Sequence, residues 1–215
     1  MNEYEFGRGL FIAPTPAGAY FAASSVTQEP ARVSLGRLLA YPEFPSFEPA
    51  VLAEISGLSD VQAGLEHVYR LQSLGLVYGL PTSRRLTTES LESSLPSILA
   101  ELAGDGKALL ADEQGFYLGC HGFHHETAEE LAGLSADLGS LHARHFALLE
   151  GHLGMRSSAW ALINAGGMSS MGFWPLFIGK HRFVLIISGA PKLDQPAMLD
   201  LVWMLFRRYG MSSGG

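Results

Sequence analysis

The sequence predicts an α+β protein with two domains, and three observations carry that prediction. Hydrophobic residues make up 47% of the 215 residues and charged residues only 16%, a composition that supports compact cores. Apolar periodicity over residues 90–210 gives the element order α-β-β-α-β-β-β-α. Residues 1–87 instead show short apolar runs followed by three helices. The predicted domains are therefore residues 1–87 and 88–215, with the junction between Thr87 and Leu95.

The first domain is expected to open with a β-hairpin. Short apolar runs at Leu10–Pro14 and Ala19–Ala23 flank a Thr-Pro-Ala-Gly turn. A first helix is expected to follow Pro30, and a second is expected over Ala50–Ser56 after a proline-rich loop.

A third helix is predicted between Ser59 and Gly75. Ser59 and Gln62 have the spacing of a capping box. Its apolar face is expected to comprise Val61, Leu65, Val68 and Leu71. A strand at Leu76–Tyr78, a wing at Pro81–Arg85 and a returning strand at Leu86–Thr87 would complete the domain, which resembles the winged helix-turn-helix family.

The winged-helix resemblance implies that the third helix would enter the major groove of DNA. The residues placed to contact nucleic acid are Arg70, Arg84 and Arg85. Residues 1–87 hold 6 basic and 8 acidic side chains, and residues 88–215 hold 8 and 13, which sum to the net charge of −7. Phosphate binding needs a basic excess that neither half has, so the sequence argues against nucleic acid as a partner.

The second domain is expected to begin with a helix capped by Ser94, because Pro96 is tolerated in a first turn. A strand pair is predicted at Lys107–Asp112 and Phe116–His121, joined by a Glu-Gln-Gly turn.

A long helix is predicted over Glu126–Gly151. Its apolar stripe is expected to comprise Leu131, Leu134, Leu138, Leu141 and His145. Gly133 and Gly139 lie within it, although each glycine costs roughly 1 kcal/mol relative to alanine. These glycines indicate a close approach to another element, such as a second copy of the same helix.

Three strands and a last helix complete the domain, over Ala159–Asn164, Phe173–Ile178, Arg182–Ser188 and Asp194–Tyr209. The strands are apolar on both faces, so the sheet needs helices on both sides. Because Pro175 lacks a ladder donor, its strand is expected to begin late or to bulge.

Residues 95–210 resemble the Roadblock family of dynein light chains and their bacterial relatives. The resembling segments are Ala108-Leu-Leu-Ala-Asp-Glu-Gln-Gly-Phe-Tyr-Leu-Gly119, Glu129-Glu-Leu-Ala-Gly-Leu-Ser-Ala-Asp-Leu138 and Leu199-Asp-Leu-Val-Trp-Met-Leu-Phe-Arg-Arg-Tyr209. The resemblance implies a five-stranded antiparallel sheet that dimerises through the long helix and the third strand. It also implies a scaffold or regulator of Ras-like GTPases, and some bacterial members stimulate GTP hydrolysis by positioning the GTPase's own residues.

On this resemblance, the expected partners are a second copy of the chain and a small Ras-like GTPase or another signalling protein. The candidate homodimer interface comprises Leu131, Leu134, Ser135, Leu138, Leu141, His142, His145, Trp160 and Leu162. The alternative is a DNA-binding transcriptional regulator whose winged helices are dimerised by the Roadblock-like domain.

The sequence assigns no catalytic residue, no cofactor and no metal, so we expect an interaction protein and not an enzyme. Six residues separate Gly172 from Gly179, where a phosphate loop has four. The segment Cys120–Glu126 holds metal-ligand residue types without the paired spacing of a zinc site. His142 and His145, three residues apart, stay open as a pair that could hold zinc between two helices.

A cytoplasmic location is expected. The single cysteine, Cys120, excludes an intramolecular disulfide and fits a reducing compartment. The first six residues are acidic and lack the features of a signal peptide. The apolar stretch Met171–Ala190 is interrupted by Gly179–Arg182, which predicts a hairpin and not a membrane span.

Overall fold

The computed structural model describes residue 7 and residues 9–210, so the signal-peptide prediction for residues 1–6 lies outside the described part of the chain. In chain order, its helices and strands are β1 (Phe11–Pro14), α1 (Pro16–Ala23), α2 (Pro30–Leu39), α3 (Pro49–Ser56), α4 (Val61–Ser73), β2 (Val77–Leu80), α5 (Leu91–Ala103), β3 (Lys107–Ala111), β4 (Tyr117–His121), α6 (His125–Arg144), β5 (Trp160–Ile163), β6 (Ser169–Ile178), β7 (His181–Ser188) and α7 (Pro196–Leu205). Two π-helical turns, Ala147–His152 and Phe206–Gly210, follow α6 and α7.

The second half of the chain forms a five-stranded sheet in the order β4-β3-β7-β6-β5. Every neighbouring pair of strands is antiparallel. The sheet and the succession of elements confirm the α+β prediction for residues 90–210. Strand β5 lies at one edge, where its partner among the described residues is β6.

Both faces of the sheet are covered, as the alternation of apolar residues predicts. Phe183, Leu185 and Ile187 of β7 point into a core shared with α5 and α7. Val184 and Ile186 point into a smaller core beneath α6. Side chains alternate between the two faces of a strand, so one apolar run serves both cores.

Strand β6 begins at Ser169, earlier than predicted, and runs without a register shift through Pro175. The expectation that Pro175 would delay or bulge the strand is therefore wrong. Pro175 pairs with Val184 of β7, whereas β5 begins opposite Phe173. No β5 residue lies opposite the proline, so on that side its missing N–H costs no ladder bond.

Helix boundaries in this half differ from the predictions. Helix α7 spans Pro196–Leu205 where Asp194–Tyr209 was predicted. Helix α5 begins at Leu91, and Ser90 caps it by accepting a hydrogen bond from the Ser93 N–H at 3.2 Å. The predicted cap, Ser94, and Pro96 both lie inside the helix, which its buried leucines hold against the sheet. Helix α6 ends at Arg144, before the predicted Gly151, and the backbone then forms the π-helical turn.

The predicted N-terminal hairpin is wrong, because Ala19–Ala23 belong to helix α1 and β1 pairs instead with β2. Thr15 caps α1 by accepting a hydrogen bond from the Gly18 N–H at 2.9 Å, and Pro16 occupies the first turn. Thr followed by Pro is a helix start signal, which here outweighs the apolar run.

The three helices that follow are confirmed as α2, α3 and α4. Asp60, not the predicted Ser59, caps α4 by accepting a hydrogen bond from the Gln62 N–H at 3.0 Å. On the predicted apolar face, Leu65, Val68 and Leu71 are buried while Val61 is exposed.

The predicted returning strand at Leu86–Thr87 does not form. The Leu86 N–H donates to the carbonyl of Pro42, and the Phe44 N–H donates to the carbonyl of Arg84. Residues 84–86 are therefore joined to the loop after α2 and not to β2, whose partner is β1. The winged-helix assignment of this half stays a prediction.

The two predicted domains share one hydrophobic core. Its buried cluster includes Ala19, Leu35 and Leu39 from the first half and Leu201 and Trp203 from α7. The division at residue 87 stays a prediction about how the chain is organised.

Candidate interaction site at helix α6 and strand β5

Helix α6 contacts its own sheet through small residues. Ala128, Ala132 and Ser135 are buried. With Gly139 they have i, i+4, i+7 and i+11 spacing, so all four lie on the same side of the helix. A Cβ atom added at Gly139 would lie 1.9 Å from Nη1 of Arg182, whereas one added at Gly133 would meet nothing within 4 Å. The close approach predicted from the glycines is thus made by Gly139 within the chain.

The predicted leucine stripe divides between the core and the surface. Leu131 and Leu138 pack at the margin of the core beneath α6. Leu134 is 41% exposed, and Leu141 is half-buried. His145 follows the last residue of α6 and is exposed, so it does not continue the buried stripe.

His142 and Trp160 connect α6 to β5. The Trp160 Nε1–H donates to Nδ1 of His142 at 3.3 Å, and the two rings meet edge to face at a centroid distance of 6.2 Å. The structure thus brings together two residues of the candidate interface. Leu162, a third, is 55% exposed on β5.

Large apolar side chains are exposed between the end of α6 and the β5–β6 hairpin. We call this set the edge patch, and it comprises Phe146, Leu148, Leu153, Met155, Leu162, Ile163 and Met168. Sequence reasoning found only Leu162 among them, since it assigned Phe146 and Leu148 to a longer helix. The apolar residues at 153, 155 and 168, outside any predicted element, were the signal that could have found the others.

The three arginines considered for nucleic-acid contact are each paired with a carboxylate. Nη2 of Arg84 lies 2.6 and 2.7 Å from the two carboxylate oxygens of Asp200. Arg70 pairs with Glu66 at 2.5 Å, and Arg85 pairs with Glu43 at 2.9 Å. Paired guanidinium groups have fewer donors to offer phosphates, so this arrangement does not favour the DNA-binding alternative.

The segment from Cys120 to Glu126 is spread over the end of β4 and the start of α6. Cys120 is half-buried with Sγ 3.9 Å from the carbonyl of Phe123, and Nδ1 of His125 lies 2.7 Å from the Tyr117 hydroxyl. Across residues 7 and 9–210, no three His, Cys, Asp or Glu side chains form a group that could hold a metal ion.

No family model matches the sequence, and no curated protein matches it. Part of the chain is similar to MglB from Myxococcus xanthus, with 14% identity and a TM-score of 0.38 over 58% of this chain and 93% of that chain. A gliding protein, MglB from Thermus thermophilus, gives 18% identity and a TM-score of 0.38 over 58% and 95%. A Roadblock/LC7 domain from Streptomyces avermitilis gives 14% and 0.35 over 54% and 92%.

These matches are similarities of part of the chain. None of the helices described within residues 9–210 combines the length and apolar character that crossing a membrane requires.

Proposed function

We propose that this protein is a non-enzymatic interaction module that forms a homodimer and scaffolds or regulates a small Ras-like GTPase. The observation that carries the proposal is the exposed edge patch, of which Leu162 and Ile163 lie on the edge strand β5. Ile163 is 68% exposed and Met168 is 69% exposed in a hairpin whose outer strand has no further partner in the sheet. An uncovered apolar strand edge is a liability that proteins cover by pairing it with another surface.

A second copy of the chain suits this edge. A twofold axis brings the same patch of two subunits together, so two β5 strands can meet antiparallel with their apolar side chains in contact. Helix α6 lies next to that edge through the contact between His142 and Trp160. The axis would therefore also bring two α6 helices together, with Leu134 exposed on each.

The charges on α6 support an antiparallel pairing of the two helices. Its first turns carry exposed Glu126, Glu129 and Glu130, and its end carries exposed Arg144 and His145. In an antiparallel pair, the acidic end of one helix faces the basic end of the other, and the helix dipoles also oppose each other.

The GTPase part of the proposal rests on the sequence resemblance of residues 95–210 and on the lack of a phosphate loop in the sequence. A chain without a phosphate loop would act on a nucleotide through a partner that binds it. Positioning the partner's own residues is one way to change its rate of hydrolysis.

Capture from an extract of the source cells tests the GTPase assignment. The immobilised protein is offered extract loaded with a non-hydrolysable GTP analogue or with GDP, and bound proteins are identified by mass spectrometry. We expect a Ras-like GTPase whose recovery differs between the two nucleotide states. Recovery of no such GTPase from either extract, with folded protein on the matrix, would contradict the assignment.

A further inference from the structure

A small cavity lies between the end of α6 and the strands β5, β6 and β7. Its volume is about 30 Å³. Its walls include Leu138, Phe173, Pro175 and Val184, which are apolar, and its polar groups include His142 and Arg182. Apolar walls keep the local dielectric constant low, so a charge interaction inside the cavity is stronger than one at the surface.

Arg182 is the cation of this cavity, and among the described residues its guanidinium has no carboxylate partner. Its Nε atom is buried and makes no hydrogen bond within the described part of the chain. A buried donor without an acceptor is destabilising, and more so when the group is charged. Gly139 leaves the space that the guanidinium occupies, because any side chain there would collide with Nη1.

Glu113 contacts the backbone of Arg182 and not its guanidinium. Glu113 accepts a hydrogen bond from the backbone N–H of Arg182 at 3.3 Å, and its other oxygen lies 3.7 Å from Nδ1 of His181. That carboxylate therefore serves the backbone and the neighbouring histidine. An acceptor for the Nε–H of Arg182 therefore has to come from outside the described residues.

His142 supplies a second donor on the cavity wall. The indole N–H of Trp160 is a donor only, so the Nδ1 atom that it contacts acts as the acceptor. The proton of the neutral His142 ring is then on Nε2, which can donate.

We propose that this cavity binds one carboxylate group, held by the guanidinium of Arg182 and the ring N–H of His142. The planar guanidinium fork matches the two oxygens of a carboxylate. A cavity of 30 Å³ has room for about two water-sized atoms at about 10–15 Å³ each. That space fits a two-oxygen group. The carboxylate comes from a small organic acid or from an acidic side chain of a second copy.

Acetate is the probe for the site, and the Trp160 indole resonance is the readout. The full chain is titrated with sodium acetate or with sodium chloride at equal ionic strength, and the indole signal is assigned with Trp160→Phe. We expect a saturable shift with acetate alone. In Arg182→Gln the affinity should fall about tenfold or more, as expected for loss of hydrogen bonds to a charged group.

Two glycine variants separate the loss of the site from a loss of folding. Gly139→Ala keeps the arginine but displaces its guanidinium, so it should also lose the acetate response. Gly133→Ala adds the same methyl group on the same helix where nothing lies within 4 Å, so it should keep the response. Lys180→Gln, which removes an exposed cation from the same hairpin, should keep it as well.

Sedimentation of the same variants identifies the source of the carboxylate. If a second copy supplies it, Arg182→Gln and added acetate both weaken self-association about tenfold. If a small acid is the ligand, self-association is unchanged by either while acetate still shifts the indole signal. An acetate response identical to that of chloride, together with self-association indifferent to Arg182→Gln, overturns the proposal.

Discussion

Phe44 and Trp203 stack with their ring centroids 3.9 Å apart and their planes 13° from parallel. Phe44 belongs to the loop after α2, and Trp203 belongs to α7 in the other half of the chain. The Trp203 Nε1–H donates to the carbonyl of Tyr41 at 2.7 Å. The indole of Trp203 therefore joins α7 to the first half of the chain, both by ring stacking and by a hydrogen bond.

Trp203→Ala should lower the free energy of unfolding by about 3–5 kcal/mol, because it removes a fully buried indole and its hydrogen bond. Urea unfolding followed by circular dichroism measures the change. Phe116→Ala, which truncates a side chain that is 67% exposed, is the control and should change stability by less than about 0.5 kcal/mol. Similar losses for both variants would show that the stack does not hold the halves together.

Arg84→Gln should destabilise the protein by about 1–2 kcal/mol, because it removes a charge-assisted contact and leaves Asp200 partly buried and unpaired. The side chains of this pair are 35% and 30% exposed. Arg70→Gln is the matched control, since Arg70 and Glu66 are 71% and 47% exposed and such pairs contribute less than about 1 kcal/mol. Equal effects in urea unfolding would contradict the prediction.

Leu162→Glu should convert the proposed homodimer into a monomer, because it places a charge on the open edge of β5. Light scattering at tens of micromolar, a range that populates a stable interface, measures the mass. Leu74→Glu changes a leucine that is 70% exposed in the first half and should leave the mass unchanged. We use Leu162 because Leu138 packs against the chain's own sheet, where a charge would disturb folding. A wild-type protein that is monomeric in this range contradicts the proposal.

The free energy of unfolding should fall as the pH decreases, because His67 becomes protonated. Burial lowers the pKa of His67, and the positive charge of Arg70 lowers it further. Its Nε2 atom lies 2.8 Å from Oγ of Ser34, between α4 and α2. The pKa of His67 is lower in the folded state than in the unfolded state. The stabilisation from neutral His67 is therefore fully present above the unfolded pKa of about 6.5, and it is lost as the pH falls towards the folded-state pKa.

Urea unfolding between pH 7.5 and 5, the range of about one to two units around the unfolded histidine pKa, measures this dependence. His67→Gln should show a weaker fall in stability over the range than the wild type. His152→Gln, at an exposed histidine of the π-helical turn, should keep the wild-type slope. An unchanged slope in His67→Gln would mean that other groups set the pH dependence.

Arg144→Ala and Arg156→Ala should leave any stimulated GTP hydrolysis within about threefold, although both arginines are exposed. Our proposed mechanism positions the partner's residues and inserts none of the chain's own. Single-turnover hydrolysis with a captured GTPase measures the rate. A loss of about a thousandfold with binding intact would identify an arginine finger and reject the mechanism.

Local signals in the sequence determined the second half of the fold. The Asp-x-x-Gly turn predicted the β3–β4 hairpin, and Oδ1 of Asp112 accepts hydrogen bonds from the N–H groups of Gln114 and Phe116. The alternation in β7 predicted a sheet covered on both faces. These features depend on residues close together in the sequence or on a period of two, so they could be predicted without knowing the neighbours.

Tertiary structure decided what those local signals leave open. The apolar run Ala19–Ala23 suits a strand or a helix, and the cap at Thr15 together with packing of α1 against α7 selects the helix. The face of α6 that meets the sheet was also ambiguous, because leucines and small residues share the helix. In the fold the small residues are buried, and Leu131 and Leu138 pack at the margin of the same core. The candidate sites also depend on tertiary structure. Gly139 and Arg182 lie far apart in the sequence, and only the fold places the guanidinium against the glycine.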